Sequence, residues 1–83
     1  MKEIHIKIGG NMYTGYFVQN DFIFGPKYSG QYYLKNGYIY GPKNNGLFYI
    51  KENFIFGPNH NGTFFIKDGQ IFGPSNELPW FPK

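Results

Sequence analysis

The sequence has no cysteine, no arginine, a single tryptophan and only two histidines. Without cysteine there is neither a disulfide framework nor a thiolate metal site. A chain of 83 residues must then be held by packing alone or by association with another copy. Without arginine, the net charge of +3 rests on eight lysines. They are dispersed, so the charge permits an acidic partner without demanding one. No apolar run approaches the ~20 residues that a membrane-spanning helix needs. Residues 1–8 alternate instead of running apolar, so no signal peptide is expected and a cytoplasmic protein is the default. Nor is there a helical period anywhere in the chain.

The chemistry-bearing residues are equally sparse. His5 falls on a strand-like stretch and His60 in a polar loop, and the two are not expected to meet. Asp21, Glu52 and Asp68 recur at turn positions, where short carboxylates serve the backbone. No nucleophile sits in a Gly-x-Ser-x-Gly or Cys-His setting, and no ligand cluster has metal spacing. No catalytic residue, metal or cofactor is expected, and the chain does not read as an enzyme.

What the sequence does have is one line written four times between Thr14 and Glu77. In steps of sixteen it reads TGYFVQNDFIFGPKYS, GQYYLKNGYIYGPKNN, GLFYIKENFIFGPNHN and GTFFIKDGQIFGPSNE. Gly25-Pro26, Gly41-Pro42, Gly57-Pro58 and Gly73-Pro74 keep the frame without insertion or deletion. Each repeat carries two aromatic, branched runs around a turn pair: Asn20-Asp21, Asn36-Gly37, Glu52-Asn53 and Asp68-Gly69. Asn-Gly between such runs predicts a two-residue type I′ hairpin, and Glu52-Asn53 is the weakest of the four turns. Gly-Pro ends each second strand because proline cannot donate to a ladder. Ahead of the repeats, Ile4, Ile6 and Ile8 alternate as a capping strand, the worn second half of a preceding repeat.

A two-residue turn fixes the cross-strand partners: Lys35 faces Tyr38, Leu34 faces Ile39, Tyr33 faces Tyr40 and Tyr32 faces Gly41. Alternation then gathers Tyr32, Leu34 and Ile39 with their equivalents on one wholly apolar face. The ring of Tyr32 is expected to cover the bare backbone of Gly41. The other face carries Tyr33, Lys35, Tyr38, Tyr40, Tyr49, Lys51, Phe54, Phe56, Phe65, Lys67 and Phe72, preceded by Phe17, Gln19, Phe22 and Phe24. The residues from Tyr33 to Phe72 on that face, with Trp80 and without the four of the first repeat, are the candidate binding residues. Leu78-Pro79-Trp80-Phe81-Pro82-Lys83 ends the pattern, and Trp80 reads as a lid on the last hairpin or as a partner anchor.

Gly46-Leu47-Phe48 gives the layout a resemblance to membrane occupation and recognition nexus repeats, which also string hairpins into a meandering sheet. The spacing of Gly30, Gly37 and Gly41 is longer than in that family. Gly30-Gln31-Tyr32-Tyr33, an aromatic doublet beside a turn, is similar to choline- and cell-wall-binding repeats, whose tryptophans these repeats lack. Neither resemblance fixes a function.

The expectation is a single all-β domain: a cap at 1–13, an antiparallel hairpin meander at 14–77 and a Pro/Trp tail at 78–83. It closes as a small barrel or pairs as a dimer. Three functions fit the ring-rich face. The first is binding of another protein, a second copy included, as an inhibitor or immunity-type factor does. The others are a carbohydrate or cell-surface binding module and a binder of single-stranded nucleic acid.

Overall fold

A computed structural model describes residues 7–8 and 11–82; the expected strand positions Ile4 and Ile6 lie outside them. Nine strands follow in order as one antiparallel sheet: β1 (Lys7–Ile8), β2 (Asn11–Gln19), β3 (Phe22–Phe24), β4 (Tyr32–Lys35), β5 (Tyr38–Tyr40), β6 (Phe48–Lys51), β7 (Phe54–Gly57), β8 (His60–Lys67) and β9 (Gln70–Gly73). Strand β9 returns to β2 through Gly73↔Met12, Phe72↔Tyr13 and Gln70↔Phe17. Strands β2 to β9 are therefore a closed eight-stranded meander barrel, and β1 pairs with the start of β2. Of the two expected ways to hide the apolar face, closure is the one found.

The hairpins form as the turn chemistry dictates. Both central residues of all four turns have positive φ: Asn20 and Asp21 (53° and 68°), Asn36 and Gly37 (53° and 83°), Glu52 and Asn53 (52° and 73°), Asp68 and Gly69 (54° and 77°). The pairings Lys35↔Tyr38, Leu34↔Ile39 and Tyr33↔Tyr40 follow. Between hairpins the register slides. Tyr40 lies opposite Tyr33, yet Tyr38 and not Tyr40 lies opposite Tyr49, so each repeat steps two residues along the strands. That stagger is what lets a twisted sheet close on itself. A ring of four equivalent hydrogen bonds locks it: Leu34 N to Asp21 O, Ile50 N to Gly37 O, Ile66 N to Asn53 O and Val18 N to Gly69 O, each 2.7–2.8 Å. The last of these joins the fourth repeat to the first.

Inside, the repeat stacks its side chains in three tiers of four. Tyr16, Tyr32, Phe48 and Phe64 form one end, Ile23, Ile39, Ile55 and Ile71 the buried middle, and Val18, Leu34, Ile50 and Ile66 the partly buried tier near the turns. The expected covering of glycine by a ring holds in every repeat. A Cβ built on Gly25, Gly41, Gly57 or Gly73 would stand 2.1–2.2 Å from a carbon of the facing ring.

Two boundaries differ from the sequence expectation. Strand β2 begins at Asn11, ahead of the repeat frame, because Met12 and Tyr13 supply partners for Gly73 and Phe72. Thr14, buried, donates its hydroxyl to Ile71 O at 2.8 Å at the same seam. His60 is not in a loop but opens β8, opposite Gly57. Pro58 followed by Asn59 at φ 61° makes a tight turn there, with proline and a positive φ in the order a type II turn requires. The two preceding connections instead place positive φ one step later in the repeat, at Tyr28 and Asn44, and run wider.

Two tests follow. Replacing Glu52→Asn with Asn53→Gly removes a glutamate from left-handed backbone and is expected to stabilise the fold by ~1 kcal/mol. Asn36→Ala with Gly37→Ala is expected to cost ~2 kcal/mol. Urea midpoints moving in opposite directions check both, and an unchanged midpoint for the second pair would contradict the two-residue turn. Gly57→Ala forces the Phe48 ring aside and is expected to cost roughly 1–3 kcal/mol. Phe48→Leu in the same chain should relieve part of that loss, read as non-additivity in a double-mutant cycle.

Candidate functional site

Because the strands alternate, every ring not inside the barrel is outside it. The outer residues fall into four oblique rows, each crossing four strands and opening on a long polar side chain. From the pairings, the rows are Gln19–Phe22–Tyr33–Tyr40, Lys35–Tyr38–Tyr49–Phe56, Lys51–Phe54–Phe65–Phe72 and, across the seam, Lys67–Gln70–Phe17–Phe24. Gln70 stands where the other rows have a ring.

Within a hairpin the outer rings lie nearly parallel: Phe17–Phe24 at 5.7 Å and 28°, Tyr33–Tyr40 at 5.6 Å and 25°, Tyr49–Phe56 at 5.6 Å and 17°, Phe65–Phe72 at 5.4 Å and 11°. Between hairpins they tilt: Phe22–Tyr33 at 5.9 Å, Tyr38–Tyr49 at 5.8 Å and Phe54–Phe65 at 5.9 Å. Tyr33, Tyr49 and Phe65 thus have a ring on either side. Of the two neighbours one lies nearly parallel and the other is tilted by 44–51°.

The candidate residues are not equally available. Tyr33, Tyr38, Tyr49 and Phe54 are exposed, with Tyr38 at 44% and Phe54 at 46%. Lys35, Lys51 and Lys67 are exposed at the turn end, beside the carboxylates of Glu52 and Asp68. Tyr40, Phe56 and Phe65 are half-buried. Tyr40 and Phe56 lean over Gly46 and Gly62, the opening glycines of the following repeats, 3.4–3.5 Å from where a Cβ would be. Phe72 is buried at 5%, roofed by Tyr13 at 5.6 Å as well as by Phe65. Phe17 and Phe22 belong to the exposed surface although they fall outside the candidate set. Their place on the sixteen-residue period was the signal for including them.

Trp80 sits elsewhere. It is wholly buried, closing the barrel end opposite the hairpin turns, with Phe48 edge-on at 5.8 Å. Its carbonyl accepts from Asn44 Nδ2 at 2.8 Å and Tyr32 Oη at 3.3 Å. Phe81 packs against Tyr16, Tyr28 and Tyr32 at 4.8–5.3 Å. Trp80 is a lid and not a surface anchor, but its hydrogen bonds and ring contact are to the second and third repeats and not to the last hairpin, on which a lid was expected. Among the described residues no group of three or more His, Asp or Glu is placed to hold a metal ion, and no helix is long and apolar enough to cross a membrane.

Comparison with protein families, with curated proteins and with solved structures finds no match to this chain.

Burial raises the phenols of Tyr16 and Tyr32 above the ordinary tyrosine value, against a lowering contribution from the backbone of Lys27 and Lys43 respectively. The unfolded chain then gives up these protons first as pH rises, so their contribution to stability is intact below pH ~10 and is lost as pH climbs above it. Alkaline titration at the phenolate absorbance should show two late tyrosines. Tyr16→Phe with Tyr32→Phe should remove that late phase and flatten the loss of stability above pH ~10.

Proposed function

We propose that this chain is a non-enzymatic protein-binding module that engages its partner through the outer rows of rings, in the manner of an inhibitor or immunity-type factor. The observation that carries the reading is that Tyr33 and Tyr49 each have ring neighbours on both sides, one nearly parallel and one tilted. Sugars and single-stranded bases bind aromatic platforms by lying on an open π-face, and those middle rings have neighbours where such a ligand would lie. A dense field of ring edges with tyrosine hydroxyls suits instead the centre of a protein interface, where aromatics are enriched and charges few. Ring edges carry the positive end of the quadrupole and accept contact from carbonyl and carboxylate oxygens.

Charge favours the same reading over a polyanion. Lys35, Lys51 and Lys67 share the turn end with Asp21, Glu52 and Asp68, so no continuous positive track accompanies the rings. Nucleic acid binding without such a track lacks its main source of affinity.

The test is a surface variant, Tyr38→Thr, Tyr49→Thr and Phe54→Thr, compared with the unaltered chain against each partner that the latter retains and that is then purified. Threonine keeps the strand propensity, so the fold should persist with a modest fall in Tm from the lost ring pairs, ~1 kcal/mol each. Affinity for the partner should drop at least tenfold, as for residues at the centre of an interface. Equal affinity in the folded variant would overturn the reading. So would a saturable, steeply salt-dependent response of tyrosine fluorescence to single-stranded oligonucleotides, or a saturable response to glycans.

A further inference from the structure

The barrel end opposite the hairpin turns is finished by side chains, not by backbone pairing. Leu78 and Trp80 are buried there and Phe81 packs between three tyrosines, yet Leu78–Pro82 forms no strand. It reaches its place through Pro74–Glu77, which are exposed. The two hydrogen bonds that tie Trp80 to the barrel, from Asn44 and Tyr32, converge on one carbonyl oxygen. This is how a peptide sits in a recognition site: a proline-stiffened segment, aromatic anchors in an apolar mouth, and its main chain caught by side-chain donors.

Two independent observations mark the segment as an imperfect occupant. Trp80 Nε1 is buried with no hydrogen-bond partner, which disfavours the closed state. Beside the segment a groove of about 630 Å³ stays unfilled, lined by Tyr16, Lys27, Tyr28 and His60 on the barrel side and by Phe81 and Pro82 on the other. The groove runs along the outer side of the segment, beside a mouth in which Trp80 and Tyr32 are wholly buried.

We propose that the barrel mouth is a recognition site for an extended protein segment that carries an aromatic pair flanked by prolines. Leu78–Pro82 is its internal competitor. The occupant's chemistry is read from the resident: Trp80 and Phe81 fill the mouth, and Pro79 and Pro82 hold the segment extended at little entropic cost. A tethered competitor acts at an effective concentration in the millimolar range, so a partner segment displaces it by also filling the groove between Tyr28 and His60. This site stands apart from the outer rows and holds whether or not they bind a protein.

The chain's single tryptophan makes the test direct. In the full chain carrying Trp80→Ala, an end-capped Glu-Leu-Pro-Trp-Phe-Pro-Lys peptide provides the only indole. Its emission is expected to shift to the blue saturably, with a Kd below millimolar and a rise in the variant's Tm, while the peptide with alanine for tryptophan does neither. A folded variant that leaves the peptide's emission unshifted up to millimolar concentration overturns the proposal. Should Trp80→Ala fail to fold, the unaltered chain is mixed with the same peptide bearing 5-fluorotryptophan. A second, bound fluorine resonance at millimolar peptide supports displacement, and its absence overturns it. A dimer at high protein concentration that dissolves on adding peptide would put a second copy's segment in the mouth, overturning the assignment to a foreign partner.

Discussion

The structure depends on four rings lying on four bare stretches of backbone. Tyr16, Tyr32, Phe48 and Phe64 each cover the glycine opposite, in the space a Cβ would need. Four large rings cannot share one level of so narrow a barrel if every partner position also carries a side chain. Glycine gives up that volume, and the buried isoleucine tier closes beneath the rings. The choice also settles orientation. Once the ring opposite glycine points inward, strict alternation sends Tyr33, Tyr49 and their neighbours outward.

The outer rows are therefore the other half of the same pattern, in a sheet that has no polar face to offer. Antiparallel sheets usually give one side to water. Here the rings on that side pair with each other, and Tyr40 and Phe56 lean on Gly46 and Gly62, which reduces the apolar area without removing it. The second, third and fourth repeats thus use two glycines for related ends, one under an inner ring and one under an outer ring, whereas the first opens on Thr14.

Most of this was legible because turn chemistry and period two act locally. Asn36-Gly37 fixed the facing of Tyr33 with Tyr40, and sixteen-residue spacing carried it round the chain. Closure was harder to read, since it rests on the slide between hairpins, which depends on loop geometry. The pairing of Tyr38 with Tyr49, carried once past the fourth repeat, does lead to Gln70 opposite Phe17. The misread positions are those where a repeat meets something outside the array or departs from its sister repeats. Phe72 is buried because Tyr13, ahead of the frame, lies over it. His60 became a strand residue because Asn59 takes the left-handed conformation one place earlier than Tyr28 or Asn44 does. Trp80 had both a lid and an anchor reading, and its complete burial at the barrel end separates them.

Closure by a fixed slide sets this array apart from open repeat proteins. A solenoid lengthens by whole units because each one meets only its neighbours. Here the bond from Val18 to Gly69 joins the first unit to the last. A fifth unit would make ten strands and a bore too wide for tiers of these side chains to fill, and the loss of one would leave six strands and a bore too narrow for the same rings. Duplication can have built such a protein only up to four copies. After that its lineage could diversify by substitution alone, one position at a time within a ring whose circumference no longer changes.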